Sequence, residues 1–313
     1  MELGERLRAG DAGAAPAALN LIEDRSPEGR EQTARLLATL SPSALGGEAP
    51  AHVIGITGPP GAGKSSLLSA LLRAWRAAGV SVAVLAVDPS SKRSGGSLLG
   101  DRARIDHDPA DRGVLIRSTA AGERLGGLAA PTGEAVAALS PVFDRVVIET
   151  VGVGQSETAV EDVADTTVVV VQPGSGDTLQ FLKAGIMEAP DVLVVTKADL
   201  GDIALRARGE LTGALAAIGA SRVPVLAVSS LPPARGVEEL IEALDHHRAG
   251  LDLVAIRSSA RRSAAIGEFS AEYGERALGA LGGRRGAERL LAEQPSGAAV
   301  NELIAALCQA SRQ

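Results

Sequence analysis

Between an apolar run, AHVIGIT (51–57), and a helical pattern, LLSALLRAW (67–75), the chain reads GPPGAGKSS (58–66). Gly58, Gly63, Lys64 and Ser65 satisfy the spacing G-x-x-x-x-G-K-[ST], in the strand-then-helix context that this phosphate loop requires. The glycines let the backbone wrap an anion, so that consecutive N–H groups and the helix N-terminus face phosphates. Gly58, Pro59, Pro60, Gly61, Ala62, Gly63, Lys64, Ser65 and Ser66 are therefore candidate nucleotide contacts. Lys64, read as a solvated ligand group rather than core, neutralises the β- and γ-phosphates, and the Ser65 hydroxyl ligates Mg²⁺.

Lysine usage points the same way. Of 31 basic residues only Lys64, Lys92, Lys183 and Lys197 are lysine. A chain so biased toward arginine keeps lysine where a compact ammonium on a flexible stem is needed. Lys92 and Lys183 thus become candidates for nucleotide-responsive loops, against the alternative that they are ordinary surface residues.

The rest of the chain reads as alternating strands and helices. Candidate strands are 53–57, 82–88, 114–118, 145–150, 166–172, 191–197 and 223–229. Nearly continuous β-branched runs separated by helices predict a mostly parallel sheet covered by helices on both faces. Aromatics are only 2% of the 313 residues, so Ala, Val, Leu and Ile must build the core. Before the first strand, helices are expected over 14–24 and from the Ser26–Pro27 cap to about Leu40, then a linker at 41–50. After Leu251 come alanine-rich helices, broken at 281–286 and 294–297. The expected division is a 1–48 helical extension, a 49–250 nucleotide-binding domain and a 251–313 helical dimerisation arm. Ile256, Ile266, Phe269, Leu278, Leu290, Leu291, Leu303, Ile304 and Leu307 on that arm are expected to need a second chain as cover.

A net charge of −7 argues against nucleic-acid binding. One cysteine, Cys308, excludes an internal disulfide framework or a cysteine-cluster metal site. The charged N-terminus carries no secretory h-region, and no apolar run approaches the ~20 residues of a membrane span. A cytoplasmic protein without membrane contact is expected.

Ligands of an open parallel sheet bind at the carboxyl ends of its strands, and the polar residues collect there. Asp88 closes the second strand and Asp101 ends the glycine- and serine-rich segment behind it; both are candidate Mg²⁺ ligands, although Asp-Pro also serves as a turn or cap. Glu149 closes the fourth strand ahead of VGVGQSE, the pattern of a second metal-binding acid in phosphate-loop enzymes. Gly152 would offer the γ-phosphate an N–H. Gln155 either orients the attacking water or is a solvated loop residue. Thr196, Lys197 and Asp199 resemble the guanine-reading N/T-K-x-D motif, with Asp199 as a buried carboxylate and the Lys197 stem over the base. Such a carboxylate rejects adenine, which cannot supply the matching donors. Ser229, Ser230 and Leu231 fall in a further expected base loop.

These stretches, with DPSSKRSGGSLLGDRARI (88–105), ETVGVGQSE (149–157) and PGSGDTLQFLKAGIMEAPD (173–191), resemble the MeaB/ArgK-type GTPases, relatives of the methylmalonic aciduria type A protein. The likeness covers nearly the whole chain. It implies a homodimeric GTPase that gates adenosylcobalamin loading of a cobalamin-dependent acyl-CoA mutase and protects or reactivates it. With no arginine finger identifiable and Gln155 in a glycine-rich loop, hydrolysis is expected to be slow alone and partner-stimulated. The cobalamin would sit in the partner, and a cobalamin adenosyltransferase is a further implied partner. By the same resemblance 88–105 and 149–157 are switches, and 174–188 is a third, whose working residues are Asp177 and Lys183. With Lys64 and Gln155 these complete the candidate catalytic set. The guanine motif departs from the usual asparagine at Thr196. Rival readings are a nickel-insertion GTPase, a kinase, and a nucleotide sensor without turnover. The first needs Cys/His clusters, whereas His246–His247 reads as a solvated helix end, and the second needs ATP, against which Asp199 argues.

Overall fold

The computed structural model describes residues 2–88, 105–120, 130–150, 160–174 and 190–312. Seven parallel strands form one sheet: β1 (His52–Thr57), β2 (Val82–Asp88), β3 (Val114–Ala120), β4 (Arg145–Thr150), β5 (Thr166–Val171), β6 (Val192–Val195) and β7 (Val225–Ala227), in the order β3-β2-β4-β1-β5-β6-β7. Among the described residues the α-helices are α1 (Leu3–Arg8), α2 (Ala15–Glu23), α3 (Pro27–Thr39), α4 (Pro42–Leu45), α5 (Lys64–Ala77), α6 (Ala130–Leu139), α7 (Asp202–Ala217), α8 (Val237–Ala249), α9 (Leu253–Ala280), α10 (Gly283–Ala292) and α11 (Val300–Ala310).

The valine runs are uniform because both sheet faces are buried. Val168, Val170, Val192 and Val194 pack on the α5 and α8 side with Leu67, Leu71, Trp75, Leu240 and Leu244. Their neighbours Val169, Val171, Leu193 and Val195 pack on the other face with Ala204, Leu211 and Leu215 of α7. Alternate residues of one strand thus enter two different cores, as the period of two requires. Strand ends differ from expectation by a few residues. β6 stops before Thr196 because Lys197 turns into the left-handed region, at φ 55°. β7 is confined to three residues, after Pro224 and before the loop that Ser229 and Arg235 close with an isolated bridge.

The chain divides into two compact units. One comprises His52–Leu128 and Asp144–Gly250; the other comprises Met1–Ala51, Ala129–Phe143 and Leu251–Gln313. In the second unit, Ser26 caps α3 through Gly29 N (3.0 Å), with Pro27 at the first turn. The expected 41–50 linker contains the short α4, because Ser41–Pro42 repeats that cap signal and Ser41 Oγ accepts from Ala44 N at 3.3 Å. The linker is also pinned. Arg261 pairs bidentately with Glu48 (2.7 and 3.1 Å), and Arg257 donates to the carbonyls of Ala49 and Ala51 at 2.7 and 2.6 Å.

The tail needs no second chain to cover most of its apolar residues. Ile266, Phe269, Leu278, Leu291, Leu303 and Leu307 are buried against one another, and Leu290 and Ile304 pack on them, while Ile256 is exposed. The reason is a fold-back that periodicity does not reveal. α9 is interrupted at Gly274 (φ 81°, ψ 169°), which lets the later helices return onto Ile266 and Phe269.

At the amino ends of the strands, His52 is 1% exposed, and its Nε2 lies 2.7 Å from Thr166 Oγ1. The same oxygen lies 2.8 Å from His247 Nδ1, and His247 Nε2 lies 3.2 Å from Asp191 Oδ1. His247 is therefore a half-buried link joining α8 to the sheet rather than a solvated helix end; His246 is exposed. The hydroxyl–imidazole–carboxylate order matches that of a nucleophilic triad, but Thr166 is 0% exposed, which fits a structural link rather than a nucleophile. Burial, reinforced by the Arg145 guanidinium, pushes His52 down to about 3.

Candidate functional site

The phosphate loop leaves β1 at Thr57 and enters α5 at Lys64. Gly58 is required there by both shape and space. Its φ is 141°, and a Cβ would come 2.1 Å from the Val170 carbonyl oxygen, so the loop lies directly on β5. Gly63 (φ 91°) precedes the helix, and its α-carbon faces the Thr196 side chain. Pro59 is half-buried, Pro60, Gly61 and Ser66 are exposed, and Ala62 is buried.

Lys64 is buried (7% exposed), not solvated. Its Nζ donates to the carbonyls of Gly58 (2.6 Å) and Pro59 (3.1 Å), so the loop's own backbone holds the ammonium at its centre. One residue on, Ser65 Oγ donates to Glu149 Oε1 at 2.9 Å. Glu149 is 6% exposed. It continues the face of β4 on which Val147 meets the α5 core, and this register aims its carboxylate at the helix start. Two hard oxygen donors, a hydroxyl and a carboxylate, meet here beside an ammonium. That donor set suits Mg²⁺, which prefers one or two protein oxygens together with phosphate and water.

The base-loop residues are tied to the same scaffold. Thr196 (2% exposed) shares its hydroxyl proton between the carbonyls of Ala62 (2.5 Å) and Val171 (3.0 Å). It spans from the phosphate loop to β5, and its hydroxyl faces backbone. Lys197 Nζ donates to Gln172 Oε1 at 2.5 Å. Asp199 is exposed rather than buried, because its short 3-10 turn, Ala198–Leu200, lies on the rim. Ser229 Oγ donates to Asp199 Oδ1 at 2.9 Å, which brings the 229–235 loop beside it. Ser230 is half-buried and Leu231 is 61% exposed.

The structure thus brings together Gly58, Lys64, Ser65, Glu149 and Thr196, and separately Asp199 with Ser229. β2 ends at Asp88, in register with Ala120. Asp101, Gly152, Gln155, Asp177 and Lys183 lie outside the described residues. Sequence reading missed Ser69, Gln172, Thr57 and Thr150. Ser69 repeats the Ser65 face one helical turn later and accepts from Asp106 N at 2.9 Å. Gln172 carries a sequence signal too, as the first polar residue after β5.

The model of the family described as methylmalonyl-CoA mutase-associated GTPase MeaB matches residues 15–276. The chain belongs to the MeaB family of GTPases. A probable GTPase of Mycobacterium tuberculosis is 42% identical over 254 residues, 79% of this chain and 74% of that protein. The mitochondrial methylmalonic aciduria type A homolog of Mus musculus is 45% identical over 156 residues, half of this chain (50%) and 37% of that protein. Among solved structures, one described as a LAO/AO transport system kinase superposes with a TM-score of 0.67 at 26% identity, over 99% of this chain and 97% of that one. The fold is that of a phosphate-loop GTPase. Among the described residues of this MeaB-family chain, no helix is long and apolar enough to cross a membrane.

Proposed function

We propose that this MeaB-family protein hydrolyses GTP with Mg²⁺ and couples hydrolysis to the servicing of a cobalamin-dependent acyl-CoA mutase, gating adenosylcobalamin loading and protecting or reactivating the enzyme. The observation that carries the chemistry is the Ser65–Glu149 contact beside the buried Lys64. Ser65 and Glu149, with Asp88 and Asp101 from the sequence, would hold Mg²⁺, which supplies charge neutralisation on the transferred phosphoryl group. Lys64 exchanges the Gly58 and Pro59 carbonyls for phosphate oxygens when GTP enters. Thr196 holds the phosphate loop in place, and Asp199 accepts the guanine donors. Gln155, with Asp177 and Lys183, completes the reactive geometry once the partner docks. The mutase assignment is supported by the family match over 15–276. On this reading the protein is a cytoplasmic homodimer, with the cobalamin held by the mutase and an adenosyltransferase as a further partner.

Phosphoryl transfer depends on positioning and charge, so hydrolysis by the isolated protein is slow and a docking partner accelerates it. Adding the host's cobalamin-dependent mutase should raise the GTPase rate by about one to two orders of magnitude, roughly 1.4–2.7 kcal/mol of barrier. Lys64→Ala should abolish both basal and stimulated rates. No acceleration by any cobalamin-dependent acyl-CoA mutase would overturn the chaperone assignment while leaving the GTPase intact.

A further inference from the structure

The backbone ladder between β1 and β4 runs from His52↔Arg145 to Ile56↔Glu149. One residue further the strands part, β1 into the phosphate loop and β4 toward the segment after Thr150. At that point side chains take over from backbone. Thr150 Oγ1 donates to Thr57 Oγ1 at 3.1 Å, and the two residues are 1% and 2% exposed. On its other side Thr57 remains in register with Val169 of β5, and Thr150 with Val87 of β2. The hydroxyl pair therefore joins two halves of the sheet where the ladder between them ends.

The placement bears on Glu149. Successive strand residues point to opposite faces, so Thr150 grips the end of β4 from the face opposite the Glu149 carboxylate. Thr57 does the same at the last residue before Gly58. We infer that Thr150, through its hydrogen bond to Thr57, is a positioning residue that sets the Glu149 carboxylate against Ser65. This rests on the reading of Ser65 and Glu149 as Mg²⁺ ligands. Neither threonine is among the proposed metal or phosphate ligands. Together they fix the angle at which the acid and the phosphate loop leave the sheet. Groups hydrogen-bonded directly to metal ligands typically change metal affinity by about 10–100-fold when removed; a pair that acts through the strand end, one residue away, belongs at the low end of that range.

The experiment is a Mg²⁺ titration of GTP hydrolysis by the full chain carrying Thr150→Val, Thr150→Ser, Thr57→Val, the double valine variant, or Glu149→Gln. Valine keeps the shape and deletes the hydroxyl; serine keeps the hydroxyl. Thr150→Val should raise the half-saturating Mg²⁺ concentration by about ten-fold, with GDP affinity in EDTA unchanged and a native circular-dichroism spectrum; the thermal midpoint followed by Trp75 fluorescence falls, because a buried hydrogen bond is lost. Thr150→Ser should restore the wild-type Mg²⁺ response. The double valine variant should be no worse than either single one, the signature of a pair acting through one bond. A wild-type Mg²⁺ response in both single valine variants, or a serine variant as defective as valine, overturns the positioning role. A wild-type Mg²⁺ response in Glu149→Gln overturns the metal assignment itself, which separates the two failures.

Discussion

Replacing Asp199 with asparagine exchanges one of two acceptor oxygens for a donor, while Ser229 remains in place to hold the side chain. If Asp199 reads the guanine donors, Asp199→Asn should weaken GTP by about 2–3 kcal/mol, the range for a charged hydrogen bond. It should also shift preference toward xanthine nucleotides. Competition binding of GTP, XTP and ATP checks this, and equal wild-type affinity for ATP and GTP would refute it. At this scale the sequence was legible where neighbours are local. The phosphate-loop spacing put Lys64 and Ser65 at the start of a helix, where they stand, because loop and helix are adjacent in the chain. It could not foresee that Lys64 is buried, nor that the Thr196 hydroxyl turns to the Ala62 carbonyl, 134 residues away in sequence. That contact depends on strand order, which no local pattern encodes.

Among the elements, the strands were legible because a run buried on both faces is apolar throughout. α4 was missed although Ser41–Pro42 carries the same cap signal as Ser26–Pro27, because the glycines at 46–47 suggested a linker. The tail helices were legible as helices, but their partners were not, since amphipathic faces do not name what covers them. Phe269 is fully buried beneath α10 and α11, with its ring 5.1 Å from that of Tyr273. Phe269→Ala should cost about 3–5 kcal/mol, the range for deleting a buried aromatic. Urea denaturation monitored by circular dichroism measures it. A loss below about 1 kcal/mol would mean that the three tail helices do not hold one another as described.

For the molecule as a whole, His52 makes stability depend on pH. Its folded value of about 3 lies well below the ordinary 6.5, so between these values the unfolded chain binds the extra proton. Its contribution is fully present above about pH 6.5 and is lost as pH falls toward 3, with a slope of up to about 1.4 kcal/mol per pH unit. Denaturant unfolding of wild type and His52→Gln between about pH 4 and pH 7 should show the slope reduced in the variant, and identical slopes would remove His52 as the cause.

The unit containing Glu48 is assembled from both chain ends and a central stretch. On a ribosome its first helices appear long before Arg257 and Arg261, the side chains that clasp 48–51. At about 5–20 residues per second the wait is about ten to forty seconds. Through that interval a glutamate destined for burial stands in water without its arginine. A nascent chain halted before Leu251 therefore holds only part of that unit, and α9, α10 and α11 are the helices still to be added to it.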